Sequence, residues 1–421
     1  MMSTNEDRRE KPLEPASALQ GVRVVDFTRQ MSGPYACLVL ADFGADVIKV
    51  ESAPLGDPSR RAGIYFVGGE STMFLTWNRN KRGVCLDLRS ERGLKVAHRL
   101  IEDADILMEN FRPGVADEIG IGWEVAHSLN PRLVYCSVSA FGSSGPWKDR
   151  PGTDPVVQAM SGLMSVTGER DGGPVAVGIP IADYTSSMMA VQGALLGLFA
   201  RQRTGKGQHV DISMLGALMF GLTTRLGPYF VTGTDPTRWG SQHSQVVPYQ
   251  AFRTTSGWAM AGIWSDNGWK AFCEALDWPE LASDERFDTN VKRVERRDEL
   301  CPLLEARFIT RSTGEWERRF ADRGVLFAPI NTFSEAFNHP QVEALGLVTN
   351  VMHPTAGWLK QIGPVIGLSE TPASVRSAPP LLGEHTIEVL LESGYSQEEI
   401  DDLLARGSVV AAGKVGSRNQ A

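Results

Sequence analysis

Short, nearly continuous apolar runs and longer helical patterns alternate over the first 150 positions of the chain. The runs Val22–Phe27 (V-R-V-V-D-F), Asp46–Val50, Val84–Leu88, Asp105–Phe111 and Leu133–Phe141 predict buried strands. Pro34–Phe43 reads as a helix, with Ser32 or Gly33 at its cap, Pro34 in its first turn and Gly44 just past its end. Gly93–Asp103 reads as another. Strand, loop, helix, strand in about 30 residues is a βαβ unit. Its repetition predicts an α/β fold with a doubly wound, Rossmann-like large domain and a mostly parallel sheet. Ligands are expected beyond the carboxyl ends of such strands, here Thr28–Pro34, Asn110–Gly114 and Ala140–Pro146.

Farther along, Tyr184 to Arg203 forms a strongly apolar helical stretch with Asp183 just ahead of it. Asp183 has two readings, helix N-cap or catalytic carboxylate, and they are not exclusive. The pattern changes after Arg225. Six of the ten tryptophans fall between Trp239 and Trp316, where packing explains them as well as ligand stacking does. A turn at Thr255–Gly257 splits two short strands, and helices are expected near 266–277, 294–310 and 313–323. That describes a smaller α+β domain. Pro340, Pro354, Pro364, Pro372 and Pro379-Pro380 predict a long irregular connection before a helix pair, Glu384–Ser393 and Ser396–Arg406. The expected plan is a polar tail (1–17), a large domain (18–225), a small domain (226–335), a return connection with C-terminal helices completing the large domain (336–408), and a tail (409–421).

With 421 residues and 42% hydrophobic content, two ordinary globular cores are affordable by length. A net charge of −8, with Lys and Arg scattered, argues against nucleic-acid binding. The basic cluster Lys292–Arg297 reads as a solvated helix face. Five cysteines without a CxxC read as reduced thiols, three of them in buried patterns. Met1–Ala16 is polar and resembles no secretory leader. The apolar run Met188–Ala200 is 13 residues, too short to span a bilayer. A cytoplasmic protein with no membrane partner is expected. The seven histidines form no HExxH or HxH pair, so no metal site is expected. GxGxxG, Walker A and GxSxG patterns are absent; F-G-S-S-G at 141–145 is out of register. Nicotinamide, nucleotide-hydrolysing and serine-hydrolase chemistry lose support. A carboxylate enzyme or a binding protein remains.

Eight stretches, taken together and in this order, resemble the class III CoA-transferases, the family of formyl-CoA and carnitine CoA-transferases and the related acyl-CoA racemases. They are L-x-G-V-R-V-V-D-F-T-R-x-x-S-G-P at 19–34, G-A-D-V-I-K-V-E at 44–51, N-R-N-K-R-G-V-C-L-D-L at 78–88 and A-D-I-L-M-E-N-F-R-P-G at 104–114. G-S-S-G-P-W-K-D-R-P-G-T-D at 142–154, Q-A-M-S-G-L-M-S-V-T-G at 158–168, I-A-D-Y at 181–184 and T-G-K-G-Q-H-V-D-I-S-M at 204–214 follow. The resemblance implies that Asp183 is a nucleophile passing CoA from an acyl-CoA, succinyl-CoA among the donors, to a free carboxylic acid. It implies CoA contacts at Gln30, Met31, Ser32, Leu86, Arg89, Asn110, Phe111, Ile119 and Met214. CoA thioesters would be substrates with no permanently bound cofactor, and the partner would be a second copy in an intertwined homodimer.

Some residues depart from the family pattern. Ser52 and Glu118 stand where some relatives carry Arg, leaving Arg60, Arg61, Lys81, Arg82 or Arg112 as substitutes for phosphate contacts. Trp264–Trp269 (W-S-D-N-G-W) is not the glycine-rich flap of formyl-CoA enzymes, which disfavours formyl/oxalate exchange. The racemases carry His where this chain has Thr153 in R-P-G-T-D, and Thr cannot supply a second acid/base near neutral pH. A racemase is therefore the weaker alternative. A non-catalytic CoA-binding protein, the rival of another class, would not need Asp183.

Overall fold

The structure, a computed structural model, describes residues 17–413. It divides into two compact units, one of residues Met1–Ser161, Gly178–Thr224 and Gly346–Ala421, the other of Gly162–Val177 and Arg225–Leu345.

The first unit is built on a seven-stranded sheet. In chain order its elements are β1 (Arg23–Asp26), α1 (Ser32–Asp42), β2 (Asp46–Ser52), β3 (Lys81–Leu86), α2 (Glu91–Glu102) and β4 (Ile106–Glu109). Then come β5 (Val134–Ser139), α3 (Asp154–Met160), α4 (Ile181–Thr204), β6 (Gln208–Ser213) and β7 (Val409–Val410). The strand order is β7-β3-β2-β1-β4-β5-β6, parallel except for β7, which runs antiparallel to β3 with Val409 opposite Leu86. The order reverses between β1 and β4, the crevice where doubly wound sheets take ligands.

Local chemistry explains the elements. The central strands are apolar and buried between their charged ends Arg23, Asp26 and Glu109, as parallel strands covered by helices must be. The Ser90 side chain accepts the Gly93 N–H to start α2, whose Val96, Ala97, Leu100 and Ile101 face the core. Helix α4 is 24 residues long, and Gly193 and Gly197 in its second half let it lie close on the sheet. A Cβ at Gly197 would stand 2.6 Å from Val134 Cγ1, and one at Gly193 2.5 Å from Val210 Cγ1. Helix α4 starts three residues earlier than expected. Pro180 holds the cap position and Asp183 is the third helical residue, so Asp183 is not the N-cap.

The second unit pairs Tyr249–Arg253, Trp258–Gly262 and Leu326–Pro329 in an antiparallel sheet. Helices Asn267–Ala275, Arg297–Phe308 and Thr313–Ala321 pack on a core of Phe252, Phe272, Phe308, Trp316 and Phe320. Residues 162–177, expected in the large domain, belong here. The Gly240 N–H donates to the Gly168 carbonyl (2.9 Å), Arg238 to the Gly172 carbonyl (2.7 Å), and Arg170 pairs with Asp298 (2.9 Å). The cluster at 292–297 is not a solvated face. Arg293 and Arg297 are buried, and Arg293 donates to the carbonyls of Val247 and Phe287 while pairing with Asp266.

The proline-marked connection is not irregular throughout. Val348–His353 and Gly357–Ile362 form a hairpin, with Val351 opposite Leu359. Part of the tail expected from 409 is strand β7. The tail expected at 1–17 lies outside the described residues apart from Ser17, as do positions 414–421. All five cysteines are buried and free. No helix among the described residues is long and apolar enough to cross a membrane.

Candidate active site

The loop leaving β1 is shaped by buried charge. Asp26 and Lys81, both fully buried, pair at 2.9 Å, and Asp26 also accepts the Thr28 N–H. Burial alone would raise the Asp26 carboxyl, but Lys49 and Lys81 outweigh it and hold the group at about 2. Lys49 donates to the Thr28 carbonyl (2.8 Å) and pairs with Asp57 (3.1 Å). Asp57 in turn accepts the Gln30 N–H (3.2 Å). So held, Gln30 adopts a left-handed backbone (φ 63°), rare for a residue with a side chain. Gly33 follows where a Cβ would stand 2.2 Å from Thr28 Cγ2, an approach only glycine permits.

Asn110, just past β4, ties this loop across the switch point. Its Oδ1 accepts the Arg29 N–H (2.7 Å), and its Nδ2 donates to the Arg29 carbonyl (2.8 Å) and to Ser32 Oγ (3.1 Å). Arg29 reaches Ser52 Oγ (3.0 Å) and lies over the Phe111 ring (4.8 Å). The first turn of α1, Ser32 and Gly33, carries backbone N–H groups that the helix itself cannot use.

Asp183 enters from α4. The Ser187 hydroxyl is within donating distance of both the Ser32 carbonyl (2.6 Å) and the Asp183 carbonyl (2.7 Å), joining the two helices. The helix start is capped from outside its own segment. Asp154 Oδ2 accepts the N–H groups of Ala182 (2.6 Å) and Asp183 (3.3 Å). That leaves the Asp183 carboxylate free of capping duty. Burial first, and then the Asp154 charge, push its pKa up to about 6, against the opposing hydrogen bond of Ser32. A carboxylate so placed is largely ionised near neutrality yet more basic than an ordinary Asp.

A cavity of about 530 Å³ opens in front of it, within the range of small-molecule sites. It brings together Asp183, Gln30, Met31, Ser32, Asn110, Phe111 and Met214 of the sequence-based set. Leu86, Arg89 and Ile119 lie outside it. Leu86 is fully buried in the core, Ile119 packs against that same core, and Arg89 is exposed past β3. Four candidate substitutes for phosphate contacts are committed elsewhere: Arg60 to Glu51 and Glu70, Lys81 to Asp26, Arg82 to Asp46 and Glu388, and Arg61 to the Leu55 carbonyl. Arg112 does line the cavity. So do Asp154, Thr153, Lys148 and Arg150, of which Asp154, Lys148 and Arg150 escaped the sequence reading. Their signal was the stretch 142–154, which the family match covers but whose individual side chains it leaves without a role.

A second, more polar cavity of about 350 Å³ shares Phe111, Arg112 and Lys148 with the first. There burial pushes the Glu109 carboxyl up to about 8, although the Phe111 N–H it accepts at 2.7 Å opposes the shift. His209 faces this cavity, bonded to Ser137 Oγ (2.7 Å) and stacked on Trp123. His127 stacks on the same ring, and His243 on Tyr249. Among the described residues, no three His, Cys, Asp or Glu side chains converge on a metal-sized point.

The family model of CoA-transferase family III matches residues 19–386. The mouse succinyl-CoA:glutarate CoA-transferase is 38% identical over 392 residues, covering 93% of this chain and 90% of that protein. The Agrobacterium fabrum succinate–glutarate CoA-transferase is 34% identical, covering 89% and 95%. A crystal structure of a CaiB/BaiF family protein from Brucella suis superimposes with a TM-score of 0.81 at 34% identity, covering 90% of this chain and all of that one. The chain belongs to CoA-transferase family III.

Proposed function

We propose that this enzyme transfers CoA from succinyl-CoA to a free dicarboxylic acid of glutarate type through covalent intermediates on Asp183. The observation that carries the reading is a basic, ionisable carboxylate facing a cavity while another residue caps its helix. The names of the mouse and Agrobacterium relatives support the donor and acceptor class.

The steps follow from carboxylate chemistry. An Asp183 oxygen attacks the thioester carbonyl, and CoA leaves as thiolate, giving an Asp183–succinyl anhydride. The thiolate then attacks the Asp183 carbonyl carbon and expels succinate, leaving an aspartyl-CoA thioester. The acceptor carboxylate attacks that thioester, CoA thiolate leaves again, and a second anhydride forms. Thiolate attack on the acceptor's acyl carbon releases the new acyl-CoA and regenerates Asp183. Each transfer is easier than direct exchange between two acids. We assign the uncapped backbone N–H groups of the first turn of α1 to the oxyanions that form in these attacks.

We assign Gln30, Met31, Ser32, Asn110, Phe111 and Met214 to the pantetheine arm, since they line the cavity. The exposed Arg89 is assigned to the far, phosphate-bearing end of CoA, and Leu86 and Ile119 to the core that backs the CoA-binding strands. Thr153, at the cavity wall, offers no second base for racemisation. The working form is proposed to be a homodimer.

The test is peptide mass spectrometry after incubation with succinyl-CoA. A succinyl or CoA adduct on the Asp183 peptide, lost in Asp183→Asn together with transfer to glutarate, is the expected result. Undiminished transfer by Asp183→Asn would overturn the covalent route.

A further inference from the structure

The cavity in front of Asp183 holds more positive charge than its own carboxylates use. Arg112, Lys148 and Arg150 all line it, and among the described residues none of the three forms an ion pair. Of the two carboxylates on its wall, Asp154 is occupied by backbone N–H groups and Asp183 is the nucleophile. Arg112 and Lys148 also face the second cavity, where Asp117, Asp149 and Asp211 supply negative charge. Arg150 faces only the first.

Arg150 is also held in place. Its guanidinium lies 4.0 Å from the centre of the Trp147 ring, and Trp147 is braced edge-on by Phe141 at 5.2 Å. Stacking fixes the plane of a guanidinium while leaving its N–H fork free for a carboxylate, so less side-chain entropy is lost on binding. The neighbouring Gly152, Thr153 and Asp154 join the same wall, which connects Arg150 to the segment that caps the catalytic helix.

We propose that Arg150 is a specificity-determining residue that binds the distal carboxylate of a dicarboxylic acyl group while the other end reacts at Asp183. The assignment rests on the reading of Asp183 as the nucleophile. A bidentate guanidinium–carboxylate pair is strong and directional, and a methyl group in place of the carboxylate would leave Arg150 without a partner.

Succinyl-CoA and butyryl-CoA, which differ by carboxylate against methyl, separate the outcomes. Initial rates and Asp183 adduct formation are measured with both donors in wild type, Arg150→Gln and Arg150→Lys. The expected result is a wild-type preference for succinyl-CoA that falls by roughly tenfold to a hundredfold in Arg150→Gln, mostly in KM, with partial recovery in Arg150→Lys. An equal loss with both donors would assign Arg150 to CoA itself or to folding and overturn the proposal. An unchanged preference would overturn it as well. In both of those cases the wild-type adduct persists and the reading of Asp183 stands. Absence of an adduct in wild type with either donor overturns that reading and the assignment of Arg150 with it.

Discussion

At Asp154, charge and hydrogen bonding can be separated by a pair of substitutions. Asp154→Asn keeps an acceptor for the Ala182 N–H but deletes the charge that helps lift the Asp183 carboxyl. A raised acid pKa falls when its neighbouring anion is removed, so the acidic limb of kcat/KM, expected near pH 6, should move to lower pH. Stability should change little. Asp154→Ala should shift the limb in the same direction and lose the cap as well, about 1 kcal/mol. A pH–rate profile and a urea titration on each variant check this; a limb that stays in place would mean that the Asp154 charge is not felt. The sequence makes Asp183 visible as a reactive carboxylate because its motif is local. It also suggests a cap there, because only neighbouring residues can be seen in a sequence. The carboxylate that caps α4 lies 28 positions earlier, a relation that only the fold creates.

The loop between β1 and α1 owes its shape to three strands at once. Lys49 on β2 and Lys81 on β3 are both buried against Asp26 at the end of β1. Removing one member leaves an uncompensated buried charge, so Lys81→Met should cost about 3–5 kcal/mol, read from urea unfolding. Adding Asp26→Leu to that variant should recover part of the loss; no cost in the single variant would show that the cluster is not a stabilising unit. Transfer activity should fall in both, since the loop carrying Gln30 and Ser32 hangs on these groups. The first five strands of the large sheet and most of the longer helices were legible from apolar runs and caps, to within a few residues, whereas strand Gln208–Ser213 and the short helices were not. The pairing of Lys81 with Asp26 was not, because a lysine inside N-R-N-K-R looks like solvent-facing charge. Arg293 and Arg297 misled for the same reason, and the hairpin Val348–His353/Gly357–Ile362 was hidden by the prolines around it. Leu86 and Ile119 show the converse. A family position can carry a ligand contact in name while its side chain fills the core.

Each unit leaves large apolar side chains uncovered. In the first, Leu196, Phe199 and Phe220 are 67%, 53% and 69% exposed. In the second, Phe230, Val231 and Phe333 are 75%, 87% and 86% exposed. Exposed apolar side chains of this kind are what the proposed packing of a second copy would cover. Light scattering should therefore return about twice the 45.9 kDa of one chain, and a mass of one chain at micromolar concentration would refute the dimer. The division into units was only partly legible, because apolar periodicity identifies elements but not which distant segments share a core. The segment at 162–177 and the return after residue 346 are decided by contacts far apart in sequence. Strand β7 has a consequence for how the protein is made. Its two residues cover the edge of β3, yet they leave the ribosome long after β3 has done so. Until then that edge presents unpaired backbone groups, the kind of surface that invites wrong partners. The second unit has most of its chain in one run and can close during synthesis; the first must wait, with that margin open until its last residues arrive.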